Sequence, residues 1–373
     1  MATTNSVSAV HGWTSQPDAE AALDEIFQGH DLSSASLALV FASSDYDLSG
    51  LGSSLQKRFT CPVIGCSTAG EISNTGYEDS GIVAAAVWGV DVAVQAIRDL
   101  GCFDEDDATA LATQLGTHDI SHSEHAVLIT LLDGLCMREE EVSSKIYLAS
   151  GGVPMIGGSS GDSLSFDDTS VLVDGEFVKG AGLCALIRAE CGLQTFIGHH
   201  YEDTESILVV TRADPNQRVI HELNGLPAAD AYAKAIGKSL EQLSKADELL
   251  HPLMVKAGER FYVRGVQQLR EDGSIQLYCA IDEGVVLHVG RADRAHEKLS
   301  DHIKNACIGV DPQLVLLFDC ITRRLETDQL GTNSSFTEVL QRYPAIGFST
   351  YGEQYNGVHV NQTVTGIVFG GFH

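Results

Sequence analysis

Pro62-Val63-Ile64-Gly65-Cys66-Ser67-Thr68-Ala69-Gly70-Glu71 returns near the C-terminus as Pro344-Ala345-Ile346-Gly347-Phe348-Ser349-Thr350-Tyr351-Gly352-Glu353, identical at Pro, Ile, Gly, Ser, Thr, Gly and Glu. A version one residue shorter, Pro154-Met155-Ile156-Gly157-Gly158-Ser159-Ser160-Gly161-Asp162, lies between them. The starts at 62, 154 and 344 leave a second gap about twice the first. A degraded fourth copy is expected midway, at Pro252-Leu253-Met254-Val255-Lys256-Ala257-Gly258-Glu259. Internal periodicity decides architecture before any single residue does. Locally the motif reads as a sharp turn: proline fixes φ, glycine opens conformations closed to other residues, and Ser/Thr hydroxyls bond nearby backbone. A turn alone does not need the Ser, Thr and Glu of the first and last copies. Ser67, Thr68, Glu71, Ser349, Thr350 and Glu353 are therefore candidate contacts to a polar ligand. For the middle copy a plain connecting turn is an equal explanation.

Each copy sits in the same setting. Before the first, Ser36 to Phe41 reads as a strand and Leu48 to Phe59 as an amphipathic helix. Before the second come Ala126 to Leu132 and a helical pattern from Arg138 to Ser150. Before the last come Gln313 to Cys320 and a helix near Ser335 to Arg342. Each copy leads into a further strand: Ile82 to Val87, Gly182 to Arg188, Thr363 to Phe369. This alternation predicts an α/β (α+β) protein of repeated strand–helix–turn–strand units. At 373 residues the chain exceeds one core's worth, so two related domains are expected. Gly192 to Glu205, a mixture of glycine, histidine and acidic residues, marks the seam, giving regions 1–195 and 196–373. In the second region a strand at Ile207 to Thr211 precedes a helix predicted over Ala228 to Leu250.

Composition narrows the function classes. No apolar run approaches the ~20 residues that span a bilayer, and the first residues, MATTNSVSAVHGW, lack the regions of a signal peptide. A cytoplasmic protein is expected. A net charge of −28 argues against nucleic acid or an anionic membrane as partner. Runs such as Asp104-Glu105-Asp106-Asp107 read as solvated loops or helix starts. Nine cysteines without a CxxC pair fit a reducing compartment, and Cys184, Cys279 and Cys320, in apolar runs, read as small core residues.

Further segments occur in a telling order: Gly65 to Glu71; Glu222-Leu223-Asn224-Gly225-Leu226-Pro227-Ala228-Ala229; Cys320-Ile321-Thr322-Arg323-Arg324; Gly347 to Gln354; and His359-Val360-Asn361-Gln362-Thr363. Together they resemble the signatures of FIST proteins over nearly the whole chain. That resemblance implies an N-terminal and a C-terminal FIST domain forming a bacterial sensory module of signal transduction. Stand-alone two-domain chains of this length resemble the haem-binding nitric oxide sensors that act on a partner histidine kinase. The resemblance thus implies haem as cofactor, nitric oxide as signal, and a two-component histidine kinase or a cyclic-di-GMP enzyme (diguanylate cyclase or phosphodiesterase) as partner. A homodimer is a further assembly it allows. The alternative within the same class is a sensor of amino-acid-like metabolites without haem.

Haem iron takes an axial His, Cys, Met or Tyr. His200 and His199 rank first, at the expected junction beside apolar Leu193 to Ile197; His359, between Val358 and Val360, and His288 follow. For each, the ordinary alternative is a histidine bonded to backbone or a neighbour. For a zwitterion, Arg323 offers a fork for the carboxylate, Glu353 a partner for the ammonium, and Asn361 and Gln362 amide contacts. Equally, Arg323 and Glu353 could pair with each other and hold the fold together. His118, His122 and His125, with Asp119 and Glu124, read as an exposed polar loop rather than a zinc site. Gly157 to Gly161 satisfies G-x-S-x-G around Ser159, the mark of a hydrolase. Ala69 and Tyr351 replace the closing glycine in the other copies, so a serine hydrolase is the remote alternative and a non-catalytic sensor the expectation.

Overall fold

The computed structural model describes residues 7–120, 125–190 and 192–372. Three times the chain runs strand, helix, strand, helix, strand, hairpin, strand, with the second helix split in two in the third unit. The first unit comprises β1 (Ser8–Thr14), α1 (Ala19–Ile26), β2 (Leu37–Ser43), α2 (Leu48–Arg58), β3 (Val63–Thr68), the hairpin β4 (Glu71–Ser73) and β5 (Gly76–Glu78), and β6 (Ile82–Trp88). The second comprises β7 (Asp91–Ile97), α3 (Glu105–Leu115), β8 (His125–Leu132), α4 (Glu139–Ala149), β9 (Met155–Ser159), the hairpin β10 (Val171–Val173) and β11 (Glu176–Val178), and β12 (Gly182–Ala189).

The third unit opens with β13 (Leu193–Gly198) and is then interrupted by a lobe. The lobe holds β14 (Tyr201–Asp214), β15 (Val219–Leu223), β16 (Leu226–Pro227), α5 (Ala228–Ala235), α6 (Lys245–Leu250), β17 (Leu253–Ala257), β18 (Arg260–Arg264), β19 (Val266–Leu269), β20 (Ile275–Leu277) and β21 (Val286–Ala292). The unit resumes with α7 (Ala295–Ala306), β22 (Val310–Cys320), α8 (Ile321–Leu330), α9 (Asn333–Leu340), β23 (Ala345–Thr350), the hairpin β24 (Glu353–Tyr355) and β25 (Val358–Val360), and β26 (Val364–Phe372).

Sheet order explains why the motif recurs. Three six-stranded sheets surround one core as a barrel-like body, running β1-β6-β2-β3-β10-β11, β7-β12-β8-β9-β24-β25 and β13-β26-β22-β23-β4-β5. Each hairpin therefore leaves its own unit and completes the sheet of another, in a closed cycle. The pairs β2/β3, β8/β9 and β22/β23 are parallel, and their near-continuous apolar runs suit strands buried on both faces. Leu39, Phe41, Ile64, Ile129, Leu131, Leu316, Phe318 and Phe348 point inward to one shared core. There Phe41 stacks on Phe348 at 4.7 Å and Phe318 meets Phe348 edge-on at 5.6 Å, each pair worth about 0.5–1.5 kcal/mol beyond its area. The outward faces are covered separately by the helices of each unit.

The α/β architecture of repeated units is as the sequence predicts. The acidic run Asp104 to Asp107 is a helix start: Asp104 accepts from Asp106 N and Asp107 N, and Asp107 returns the favour to Asp104 N. Cys184, Cys279 and Cys320 are buried core residues. The expected regions 1–195 and 196–373 meet inside β13. Two expectations are corrected. The helix over 228–250 is two short helices, because Gly237 takes φ 77 after α5 and Ser244 starts a fresh capping box before α6. The segment 252–259 is no fourth copy, since it forms the β17–β18 hairpin of the lobe, outside the three units.

Candidate functional site

At the C-terminal ends of the parallel strands the three motif turns close on one another. Ala69 N donates to Ser349 O, Tyr351 N to Ser159 O, and Gly161 N to Ser67 O, each at 3.1 Å. Ser67 Oγ donates to Gly161 O and accepts from Ser170 N. Thr68 donates to Glu71 Oε1 at 2.5 Å, and Thr350 does the same to Glu353. Ser67, Thr68, Glu71, Ser349, Thr350 and Glu353 are all 0% exposed. These side chains lie buried within the ring of turns instead of on an open surface, and Ser349 Oγ and Glu71 Oε2 have no hydrogen-bond partner among the described residues. Burial lifts the carboxyls of Glu71 and Glu353 to about 8, so both are largely protonated at neutral pH. Glu353 also accepts from Thr363 N and Oγ1. It makes no pair with Arg323, which bonds Asp319 and His200 instead.

Ser159 is also fully buried, and its hydroxyl accepts from Gln354 Nε2 at 2.9 Å. With an amide rather than an imidazole as partner, it is not an activated nucleophile.

Above the ring lies a cleft of about 100 Å³, lined by Gly134, Leu135, Met137 and Phe166 of the second unit, Cys320, Ile321, Thr322 and Tyr351 of the third, and Arg218, Gln267, Gln276, Leu277 and Tyr278 of the lobe. Its place, at the ends of parallel strands, is where α/β folds bind ligands. Phe166 stacks on Tyr351 at 4.8 Å, and the Tyr351 hydroxyl accepts from Leu164 N and donates to Asp162. Burial works against the Asp162 carboxylate, but the N–H groups of Phe166, Asp167 and Asp168 together with Tyr351 outweigh it and hold its pKa low. Met137, Ser163, Leu164 and Phe166 all take positive φ, a cost of order 1–3 kcal/mol each that concentrates at functional loops. The lobe is latched over the cleft by Arg218, which donates to Glu139 at 2.6 Å and Glu140 at 2.8 Å, while Glu140 also accepts from Ala280 N.

The top-ranked histidines anchor the lobe's stalk. His200 Nδ1 accepts from Arg323 Nη1 at 2.7 Å and Nε2 donates to Glu326 at 2.7 Å, so neither ring nitrogen is free. Burial holds the ring neutral. Arg323 Nε donates to Asp319 at 2.5 Å, Asp319 accepts from Tyr77, and Glu326 accepts from Tyr201. This chain rivets the first unit, the third unit and the lobe's first strand together. Arg323 is thereby spent on structure except for Nη2. His199 Nδ1 accepts from Tyr201 N, and burial lowers its pKa to about 4. His288 Nδ1 bonds Asp203 at 2.9 Å, its ring edge-on to Phe261. His359 keeps Nε2 unpartnered, but a Cβ built on Gly352 would lie 2.6 Å from that atom. The first-ranked ligand does not fit haem, because both nitrogens of His200 are taken, and the cleft is a fraction of the ~300–1,000 Å³ of drug-sized sites.

Of the exposed-loop histidines, His122 (with Glu124) lies outside the described residues. Among those described, no group of three His, Cys, Asp or Glu is placed to hold a metal ion.

His359, Asn361 and Gln362, singled out in the sequence for other roles, share with Gln354 a feature the sequence does not show: buried polar atoms without a partner. His359 Nε2, both side-chain atoms of Asn361, Gln362 Oε1 and Gln354 Oε1 have no hydrogen-bond partner among the described residues, and all four side chains are at most 1% exposed. Asn361 is the one expected ligand contact that remains open at both ends. The signal was the polar string at 359–363 inside an otherwise apolar strand context.

Comparison with known proteins places these features. The FIST N domain model matches residues 36–226 and the FIST C domain model residues 228–356. An uncharacterized protein, MJ1623, of Methanocaldococcus jannaschii is 25% identical over 252 residues, which are 58% of this chain and 49% of that protein. The chain thus spans about half the length of this curated relative. A crystal structure of cyanuric acid hydrolase from A. caulinodans aligns with half of this chain and 72% of its own, at a TM-score of 0.30 and 10% identity, too remote to carry an argument. No helix among the described residues is long and apolar enough to cross a membrane.

Proposed function

This chain belongs to the FIST family, and from that premise we propose that it is a non-catalytic, haem-free sensor whose small ligand enters the cleft between lobe and barrel. FIST domains are sensory domains of signal transduction that bind small ligands. The observation that carries the reading is the cleft's position, at the ends of the parallel strands and roofed by a lobe that a buried ion pair latches down. A ligand touching both bodies binds the latched arrangement better than an open one. That difference in affinity is what a two-state receptor requires.

Output passes to another protein, and we assign that role to a histidine kinase or a cyclic-di-GMP enzyme in the cytoplasm. Met137, Leu164 and Phe166, exposed at the loops that form the cleft's mouth, are the surface whose arrangement a ligand would change. Nitric oxide acting through haem is not part of this reading.

The test is a thermal-shift screen of the full chain against amino acids and related metabolites, with haemin as a separate arm. At least one small polar compound is expected to raise the melting temperature with concentration, adding about 2.7 kcal/mol at a hundred times its Kd. The response is expected to vanish in Leu135→Trp, which fills the cleft. A flat response across the set overturns the reading, and a saturable Soret band that disappears in His359→Ala would restore haem.

A further inference from the structure

We propose that the cleft takes a small uncharged aromatic ring bearing a single hydrogen-bonding substituent. This rests on the cleft being the ligand site and adds the class of compound it takes. Three rings line the space, those of Phe166, Tyr278 and Tyr351, together with Leu135, Leu277 and Ile321. An aromatic guest can stack on such rings or meet them edge-on, which favours a flat ring over a saturated one of similar size. The volume suits one ring: the cleft measures about 100 Å³, and an apolar cavity of ~150 Å³ takes benzene.

Phe166 is presented, not packed away. It is 43% exposed although large and apolar, as is Met137 at 50%, and both take positive φ. The loop that carries it is pinned. Asp162 accepts from the N–H groups of Phe166, Asp167 and Asp168, and Leu164 N donates to the Tyr351 hydroxyl. Tyr351 in turn stacks on Phe166 at 4.8 Å. The hydrophobic core gains little from an apolar ring left in water on a strained, tightly held loop. A site that must keep an aromatic face ready at its mouth accounts for it.

Charge and polarity set the rest. Among the described residues that line the cleft only Arg218 is charged, and its guanidinium already donates to Glu139, Glu140 and Tyr278 O. A carboxylate would find no free cation there. An ammonium would find no carboxylate on the lining and would face Arg218. Either ion would lose hydration without a partner in return. Two lining side chains do keep polar groups without a hydrogen-bond partner among the described residues: the Gln267 amide and the Tyr278 hydroxyl. They offer donors and acceptors to one neutral polar substituent.

A matched set of compounds tests this on the full chain, read by saturation-transfer NMR and thermal shift: benzyl alcohol against benzoate and benzylammonium, with cyclohexylmethanol as the saturated control. Benzyl alcohol is expected to bind at least about tenfold more tightly than either ion, and about threefold or more tightly than cyclohexylmethanol. Phe166→Leu is expected to melt as wild type does and to lose most of the preference for the aromatic ring. The double variant Gln267→Met, Tyr278→Phe is expected to keep that preference but no longer to favour benzyl alcohol over toluene. Equal or tighter binding of either ion overturns the proposal, as does a ring preference unchanged in Phe166→Leu. If none of the set binds while another compound does so and Leu135→Trp abolishes it, the cleft reading stands and the aromatic proposal falls. If nothing binds at all, both fall.

Discussion

Alanine at Gly347 is expected to cost about 3 kcal/mol or more of folding stability, with similar losses at Gly65 and Gly157. These are the first glycines of the three motif copies. Each lies in parallel register with a residue of the neighbouring strand: Gly65 with Val40, Gly157 with Thr130, Gly347 with Leu317. A Cβ at any of them would run into that partner's carbonyl oxygen, well inside van der Waals contact. The obstacle is backbone within a buried ladder, so it cannot swing aside as a side chain would, and the strands would have to part. Gly371→Ala serves as the control, because nothing lies within 4 Å of a Cβ there. Urea unfolding should shift in midpoint at constant slope for the three motif variants. A loss below about 1 kcal/mol at all three would show that the close approach is not what fixes these glycines.

This explains what the sequence could and could not reveal. Strands, most helices and the recurrence of the motif were legible because burial on both faces leaves continuous apolar runs. The meaning of the hydroxyls was not. Ser349 O accepts from Ala69 N, 280 residues earlier, and β4 completes the sheet of β23. Nothing local marks a hydroxyl or carbonyl whose partner lies in another unit. The same holds for His200, which looked like a free imidazole at a junction until Arg323 and Glu326 occupied both its nitrogens. The lobe hid the third unit's symmetry by parting β13 from α7. Asn361 was found from its type alone. His359 stood out only as a candidate iron ligand and Gln354 only as the end of a signature, because what matters in them is a missing partner.

The second large effect concerns pH. Raising pH from 5 to 9 is expected to weaken the fold by several kcal/mol through Glu71 and Glu353 alone. Both are lifted by burial from 4.5 in the unfolded chain to about 8 in the fold. Between those values the folded state holds a proton on each that the unfolded state has released. Stability then falls as pH rises, by about 1.4 kcal/mol per pH unit for each group. The contribution is complete below pH 4.5 and gone above about 8. The acids' role is structural: Thr68 and Thr350 hold them across the turn, and Thr363 holds Glu353 from the far side. Glutamine has the same shape and no proton to lose. The double variant Glu71→Gln, Glu353→Gln should therefore match wild type near pH 5 and exceed its stability near pH 9, with the gap opening between. Other titrating groups are common to both proteins and cancel in that difference. Parallel unfolding curves with no gap at pH 9 would mean that these carboxyls ionise within the fold at little cost, and that water reaches the sealed end of the barrel.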